Sequence, residues 1–414
     1  MSESFNKDEL EAPEWMNKSF FEEVLRKCEK TDWIMVKDVK MSPATLKGDH
    51  YASVMFRGKI TYDSKKGKGL LKSLIIKTMP QVEGHKMDML QESFIFETEI
   101  SMYSETIPKF EAELRKIGDK TVLGAKVLYH SLKPHKCIIF EDIVPLGYET
   151  LKKRAADLTD SKLAFLKLAK WHAVSYKLAA EGDKSMTDYK HGLFSIKDFD
   201  TNPFIEGGLR ALTNKCETVD ELKQYAPKLQ AMQKDLMKRC SESFNTYRQE
   251  NPKGVFVLCH GDFHSKNMMF KKKSYGETED VMLVDFQISY FGPAVMDVIY
   301  GLYMVINEDV RTNHHDEIIH YYCSNFIETL EKLKFQGNLP KISDFFIDIL
   351  RHRHWEIFLM STLLPVWCAL DKGSMDFEEL MTSEDLRESL YQNDDYIIQI
   401  KRLLPMMFHR GYLD

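Results

Sequence analysis

The sequence predicts an α+β protein of two lobes, a small strand-rich N-terminal lobe and a large, mainly helical C-terminal lobe. Three observations predict it. Between residues 39 and 143, short apolar runs bounded by polar turns surround a single helical pattern. From 144 to 414 the apolar residues recur mainly at helical spacing. Within that second part, Cys259 to Phe270 (CHGDFHSKNMMF) and Leu283 to Gln287 (LVDFQ) break the helical period with short strand-like runs.

Residues 1 to 38 form an N-terminal extension with a predicted helix at Lys18 to Glu29. Next comes the segment Thr45 to Tyr62, in which Val54, Phe56 and Ile60 are apolar and Gly48 stands near the start. It has no glycine-rich signature, yet Gly48 and Ser53 fit a tight strand-turn-strand whose backbone amides could cover phosphates. A plain surface hairpin accounts for the same residues equally well. Leu74-Ile75-Ile76 is a buried-strand run that ends on Lys77. A lysine there is costly to bury unless it is paired or faces a phosphate. In Gln91 to Glu105, Phe96, Ile100 and Tyr103 recur at i, i+4 and i+7 and make an apolar helical face with Glu99 on its flank. Lys77 with Glu99 is the expected ion pair, and Glu97 is the rival partner. Cys137 to Phe140 is a further strand, which Glu141, Asp142 and Ile143 end. The backbone at Asp142 and Ile143 is the expected adenine contact, on their place in the order of elements.

The segment around His260 carries the chemistry. His260-Gly261-Asp262 is followed by Asn267, with four residues between the aspartate and the asparagine, and Asp285 follows Asp262 by 23 positions. This order matches the kinase catalytic loop H-x-D-x-x-x-x-N and the D-F-x metal motif, with Gly261 for Arg and Gln287 for Gly. One carboxylate takes the proton of an attacking hydroxyl, while an amide oxygen and a second carboxylate hold the magnesium that bridges the ATP phosphates. Apolar runs at Met268 to Phe270 and Val281 to Val284, around the polar Lys271 to Gly276, predict a small hairpin that brings Asn267 and Asp285 together.

The ordered set KGDHYAS (Lys47 to Ser53), LIIKTMP, FETEISMY, IIFEDI, LAKWHAVS (Leu168 to Ser175), LCHGDFHSKN and VDFQISYFGPAVMDVIY (Val284 to Tyr300) resembles the ecdysteroid kinase-like family, also called CHK kinase-like. This family is an insect-rich branch of the choline kinase and aminoglycoside phosphotransferase group. The resemblance covers roughly residues 40 to 340. It implies a bilobal protein-kinase-like fold, with the nucleotide-binding lobe at 39–143 and the catalytic and substrate-binding lobe at 144–414. It also implies ATP- and Mg2+-dependent phosphorylation of a small-molecule hydroxyl, with ecdysteroids the best-known acceptors. Carried over, Asp262 is the base, Asn267 and Asp285 are the metal ligands, Lys77 is the phosphate lysine and Glu99 its partner. Asp297 resembles a family aspartate that braces the catalytic loop; a helix-start carboxylate after Pro293 is the other reading.

Two spacings argue for a small acceptor. Asp297 lies only twelve positions beyond Asp285 and no A-P-E follows, which leaves little room for a peptide-docking platform. Asp142 and Asp262 are 120 positions apart, enough chain to wall a pocket beside the base. Trp355, Phe358, Leu359, Met360, Leu363 and Trp367 could line that pocket or simply pack the C-terminal helices. The expected acceptor is an apolar or amphipathic alcohol, a steroid or a xenobiotic. The rival readings are a catalytically inactive ligand carrier and a choline- or ethanolamine-type kinase, although no set of carboxylates and aromatics stands out as a quaternary-ammonium cage.

The remaining signals set bounds. The chain has 414 residues, 43% hydrophobic and 29% charged, with a net charge of −6, which suits a globular protein with a real core and offers no basic stripe for nucleic acid. Seven cysteines without a C-x-x-C predict reduced thiols and no structural zinc. The polar start lacks a secretory h-region, so a cytoplasmic location is expected. Ile357 to Leu370, interrupted by Ser361, Thr362 and Pro365, is too short to span a bilayer and predicts a buried helix. A second helix is expected over Ser161 to Glu181, with Ser161 as a cap and Leu166, Ala169, Ala173, Tyr176 and Ala180 as its apolar stripe. His172 is expected as a satisfied core histidine, His260 as structural, and His264 as exposed on its loop. The i, i+2 spacing of His352 and His354 puts them on different helix faces and argues against a metal site.

Overall fold

The computed structural model describes residues 11–44, 53–80, 94–151, 155–196, 199–250, 254–274, 276–370 and 377–414. The chain forms two compact units, Met1–Pro108 with Gly124–Tyr148, and Lys109–Leu123 with Glu149–Asp414.

The first unit is built on a five-stranded antiparallel sheet. Its strands are β1 (Ile34–Pro43), β2 (Val54–Ser64), β3 (Gly67–Thr78), β4 (Val127–Ser131) and β5 (Cys137–Glu141), in the order β1-β2-β3-β5-β4. Period-two alternation puts Val54, Phe56, Ile60 and Tyr62 on one face of β2. That face and Ile34, Val36, Leu74, Ile76 and Ile139 pack with Phe21, Val24 and Leu25 of helix α1 (Lys18–Glu29) in one hydrophobic core. Helix α1 has the bounds that the sequence predicts. Asn17 caps it by accepting the Phe20 amide hydrogen at 3.2 Å. The segment before residue 39 is thus tied to the sheet through α1 and the first half of β1. Helix α2 (Ile95–Ser101) follows β3 and runs through a π-helical turn, Met102–Thr106, into α3 (Ile107–Lys116). Ile95, Phe96, Glu99 and Ile100 are its buried positions.

The second unit is mainly helical. Helix α4 (Leu158–Ala180) begins one turn earlier than the sequence suggests. Its cap is Asp157, which accepts the Asp160 amide hydrogen at 2.9 Å; Ser161 is buried and directs its hydroxyl to Ala156 O. The buried face also differs from the expected stripe. Ala164, Phe165, Leu168, Trp171, His172 and Ser175 are fully covered, whereas Leu166 and Tyr176 are only half buried. The covering elements include α8 (His315–Lys332) and the strand β6 (Phe256–Cys259), so α4 is apolar around most of its circumference and a single stripe cannot describe it.

Between α4 and β6 lie α5 (Pro203–Thr218) and α6 (Leu236–Glu250). Strand β6 pairs antiparallel with β9 (Tyr290–Pro293), and β7 (Met268–Lys272) with β8 (Thr278–Leu283). Helix α7 (Val295–Met304) leaves β9 and is buried along its whole length. The apolar stretch 357–370 is the expected buried helix. It passes from α10 (Arg353–Phe358), which follows α9 (Ile342–Arg351), through a π-helical turn, Leu359–Leu363, into α11 (Leu364–Leu370). Two of its backbone carbonyls take hydrogen bonds from the C-terminal tyrosines. Tyr391 donates to Ser361 O at 2.6 Å and Tyr396 to Met360 O at 3.0 Å. No described helix is long and apolar enough to cross a membrane.

Candidate active site

The hairpin of β7 and β8 sets the geometry. Its register pairs Met268 with Leu283, and the Val284 amide donates to Asn267 O at 3.0 Å. Asn267 and Asp285 therefore lie side by side at its open end, as the sequence predicts. Asp285 has φ +66, a left-handed conformation that is uncommon outside glycine. Its neighbour Phe286 is locked in the core, stacked on Trp171 at 5.0 Å and 7°. Trp171 in turn donates to Leu258 O at 2.6 Å.

The loop from β6 to β7 carries His260 to Asn267. Gly261 has φ +86, and a Cβ there would lie 2.1 Å from Ile288 O. This is the physical reason for glycine where kinases of the H-R-D type carry arginine. Asp297 in the first turn of α7 fastens the loop. Its Oδ2 accepts the His260 amide hydrogen at 2.5 Å and its Oδ1 that of Gly261 at 3.0 Å. Both readings of Asp297 hold, because it is a helix-start carboxylate and it braces the loop. His172 is the expected core histidine, with Nε2 3.1 Å from Asp297 Oδ2 and Nδ1 2.7 Å from Tyr322 Oη. His172, Cys259 and Asp297 lie close enough to hold a cation. Burial, then the Asp297 charge, pushes the Cys259 thiol far up, so it stays protonated and ligates poorly.

Asp262 is gripped from several sides. Tyr300 of α7 donates to Oδ1 at 2.8 Å, His264 Nε2 faces Oδ1 at 3.4 Å, and Asn267 Nδ2 donates to Oδ2 at 3.0 Å. Burial pushes the carboxyl up, but the interaction with His264 and the hydrogen bonds from His264 and Tyr300 outweigh it. They hold the group well below the usual carboxylate range, so it is ionised and able to accept a proton. His264 corrects the expectation of an exposed loop residue. It is largely buried, its Nδ1 accepts the Asn267 amide hydrogen at 3.2 Å, and its ring lies 5.3 Å from that of Trp367. His260 is structural, with Nε2 3.1 Å from Val284 O. Burial lowers its pKa and keeps the imidazole neutral.

In the first unit, Lys77 Nζ and Glu99 Oε2 meet at 2.6 Å. Glu97 instead pairs with Lys136 at 3.0 Å on the surface, which decides between the two candidates. Ser53 is buried at the start of β2, and Ala44 N–H donates to Met55 O at 2.9 Å where β1 and β2 diverge. Gly48 lies outside the described residues. Asp142 and Ile143 are both buried after β5. The Asp142 carboxylate accepts from Arg57 Nε at 2.9 Å, Ser73 Oγ at 2.6 Å and the Val144 amide at 3.2 Å. Burial raises its pKa, and those three donors more than reverse the rise. The side chain thus ties β2 and β3 to the turn that follows β5.

A small cleft in the second unit, with room for little more than a water molecule, is lined by Phe194, Phe244, Gly261, Tyr290, Tyr300 and Trp355 among others. Of the six C-terminal residues expected to line a pocket, Trp355 does so; Phe358, Leu359 and Met360 pack the core, Leu363 is half buried, and Trp367 sits on His264. His352 and His354 go to different partners, Asp348 O and Arg239. Sequence reading missed Tyr300. Its signal was the i, i+3 spacing from Asp297, which puts both on one face of α7.

The model of the ecdysteroid kinase-like family matches residues 47–335. The chain belongs to the ecdysteroid kinase-like family. Membership places this kinase-like chain among phosphotransferases that use an alcohol acceptor. Among solved structures, a microcompartment-associated aminopropanol kinase is 12% identical, with 94% of this chain and 98% of that one covered and a TM-score of 0.41. Amicoumacin kinase in complex with AMP-PNP and Ca2+ is 13% identical, with 92% and 95% covered and a TM-score of 0.37. No curated protein matches the chain.

Proposed function

We propose that this ecdysteroid kinase-like chain is an ATP- and Mg2+-dependent small-molecule kinase. Its acceptor is a hydroxyl on an apolar or amphipathic metabolite, an ecdysteroid-like steroid or a foreign alcohol. The observation that carries the reading is Asp262, an ionised carboxylate oriented by Asn267 and Tyr300 beside the hairpin that presents Asp285. Asp262 takes the proton of the acceptor hydroxyl as its oxygen bonds to the γ-phosphorus of ATP and the β–γ phosphoanhydride bond breaks. Asn267 Oδ1 and the Asp285 carboxylate would hold magnesium. Oxygen donors suit that hard cation, and Asn267 Nδ2, committed to Asp262, directs Oδ1 the other way. Bound there, Mg2+ would neutralise phosphate charge. Lys77, fixed by Glu99, is the cation for the phosphates, the turn with Gly48 and Ser53 covers them, and the backbone at Asp142 and Ile143 meets the adenine.

The acceptor class rests on the twelve positions from Asp285 to Asp297 and the 120 from Asp142 to Asp262, since the aromatic cleft beside Gly261 holds little more than a water molecule. Phosphorylation would leave such a molecule anionic and unable to recross a membrane, which suits hormone storage or detoxification. Seven free thiols support a reducing, cytoplasmic setting. The test is a thermal-shift screen of ecdysteroids, other sterols, choline-like amines and plant-derived alcohols with Mg-ATP, followed by mass spectrometry for phosphate transfer. A phosphorylated sterol-sized alcohol is the expected product. Efficient phosphorylation of choline or ethanolamine, with no sterol-sized alcohol modified, overturns the acceptor class. Binding without transfer to any compound returns the chain to a ligand-carrier role.

A further inference from the structure

Helix α7 grips three consecutive residues of the catalytic loop. Asp297 takes the amide hydrogens of His260 and Gly261, and Tyr300, one turn later, reaches the Asp262 carboxylate with its hydroxyl at 2.8 Å. The helix is buried from end to end, so both anchors sit on a rigid element. An ionised carboxylate offers about four acceptor positions. Tyr300 and His264 face Oδ1, and Asn267 donates to Oδ2. Among the described residues that leaves one position, on Oδ2, for an incoming hydroxyl. Rotation of the carboxylate would exchange the two oxygens and bury the open position against α7. Tyr300 opposes that rotation, since its ring is itself fixed, stacked on Trp355 at 5.9 Å and 21°.

We propose that Tyr300 is a positioning residue for phosphotransfer: its hydroxyl fixes the Asp262 carboxylate so that the free position on Oδ2 faces the acceptor. The proposal rests on the reading of Asp262 as the base. The acceptor proton passes to Oδ2 as the new oxygen–phosphorus bond forms and the phosphoanhydride bond breaks, and Tyr300 keeps its own proton throughout.

The experiment compares the full-length chain with Tyr300→Phe, which keeps the ring and its stack on Trp355. The rates read are basal Mg-ATP hydrolysis, with water as acceptor, and phosphorylation of an ecdysteroid. The variant is expected to lose about tenfold in kcat, with KM for ATP and for the acceptor within about twofold, because orientation rather than binding is lost. In an Asp262→Asn background the same change is expected to cost nothing further, since the two act as a unit. A kcat within twofold of wild type, an equal loss in the Asp262→Asn background, or a Tyr300→Phe chain that does not fold each overturns the proposal; the last assigns the hydroxyl to folding. Asp262→Asn retaining near-normal turnover, or a wild-type chain with neither activity, overturns the base assignment itself, and that result is read separately from the Tyr300 comparison.

Discussion

Lys77 and Glu99 form their 2.6 Å ion pair with only 3% and 1% of their side chains exposed. Removing one partner of such a pair leaves a buried charge without compensation, at a cost of about 3–5 kcal/mol. Glu99→Ala is therefore expected to lower stability by that order and to weaken Mg-ATP binding. Glu97→Ala, which breaks a half-exposed pair with Lys136, is expected to cost less than about 1 kcal/mol. Urea unfolding and calorimetric titration with Mg-ATP compare the two. Equal effects would contradict the assignment.

Gly261 and Gly118 share a left-handed backbone, φ +86 and +79, but differ in surroundings. A Cβ at Gly118 meets nothing within 4 Å, whereas one at Gly261 meets a backbone carbonyl at 2.1 Å. Gly118→Ala is expected to cost about 1 kcal/mol, the price of the backbone conformation alone. Gly261→Ala should cost at least about 3 kcal/mol and abolish turnover, because the loop must shift. Denaturant midpoints of the two variants provide the measurement.

Asp285→Asn separates charge from backbone. Asparagine tolerates a left-handed φ as aspartate does, so the loop conformation is expected to survive. Nucleotide affinity should lose most of its magnesium dependence, by about tenfold or more. Calorimetric titration with ATP, with and without Mg2+, reads this. Equal magnesium dependence in wild type and variant would remove Asp285 from the metal site.

The thiols give a pH prediction. Burial pushes Cys137 up to about 11 and Cys216 and Cys323 up to about 12. A thiol with a raised pKa stays protonated, and hence unreactive, until the pH approaches that value. At pH 8 the native chain is expected to resist alkylation at these three positions for hours, with labelling rising toward pH 10 and becoming complete in denaturant. Mass-mapped labelling checks it, and rapid native modification of Cys323 at pH 8 would contradict the burial.

The candidate catalytic loop was legible in the sequence because its residues fall in one short segment. His260, Asp262 and Asn267 share a loop, and the hairpin that adds Asp285 announces itself by two apolar runs around a polar turn. Lys77 and Glu99 were legible up to a choice of helix phase. Glu99 lies three residues after Phe96 and four before Tyr103, on the buried side, whereas Glu97 points away. The partners that tune the site were not legible, because they come from separate elements. Nothing local to His264 says that it faces Asp262 and Trp367, and nothing local to Arg57 says that it meets Asp142, 85 residues away. The start of α4 was misplaced for a related reason. Ser161 is a good capping residue by type, but Asp157 stands one turn earlier and Ser161 is taken into the interior.

The larger unit is discontinuous along the chain, since Lys109–Leu123 belongs to it while the next stretch returns to the smaller one. That excursion supplies Phe110, 5.1 Å from Trp171, the Val122 carbonyl that receives Lys167 Nζ at 2.7 Å, and the Leu123 carbonyl that receives the Leu283 amide at 3.3 Å. No single cut in the gene can therefore release the half that carries the catalytic loop. A fragment starting at residue 149 would emerge with an unfilled groove beside Trp171 and with Lys167 short of the Val122 carbonyl, keeping only Asp280 of the two acceptors. During synthesis the same fifteen residues leave the ribosome well before their partners do, and must wait for a further 160 residues before Leu283 arrives to close the structure around them.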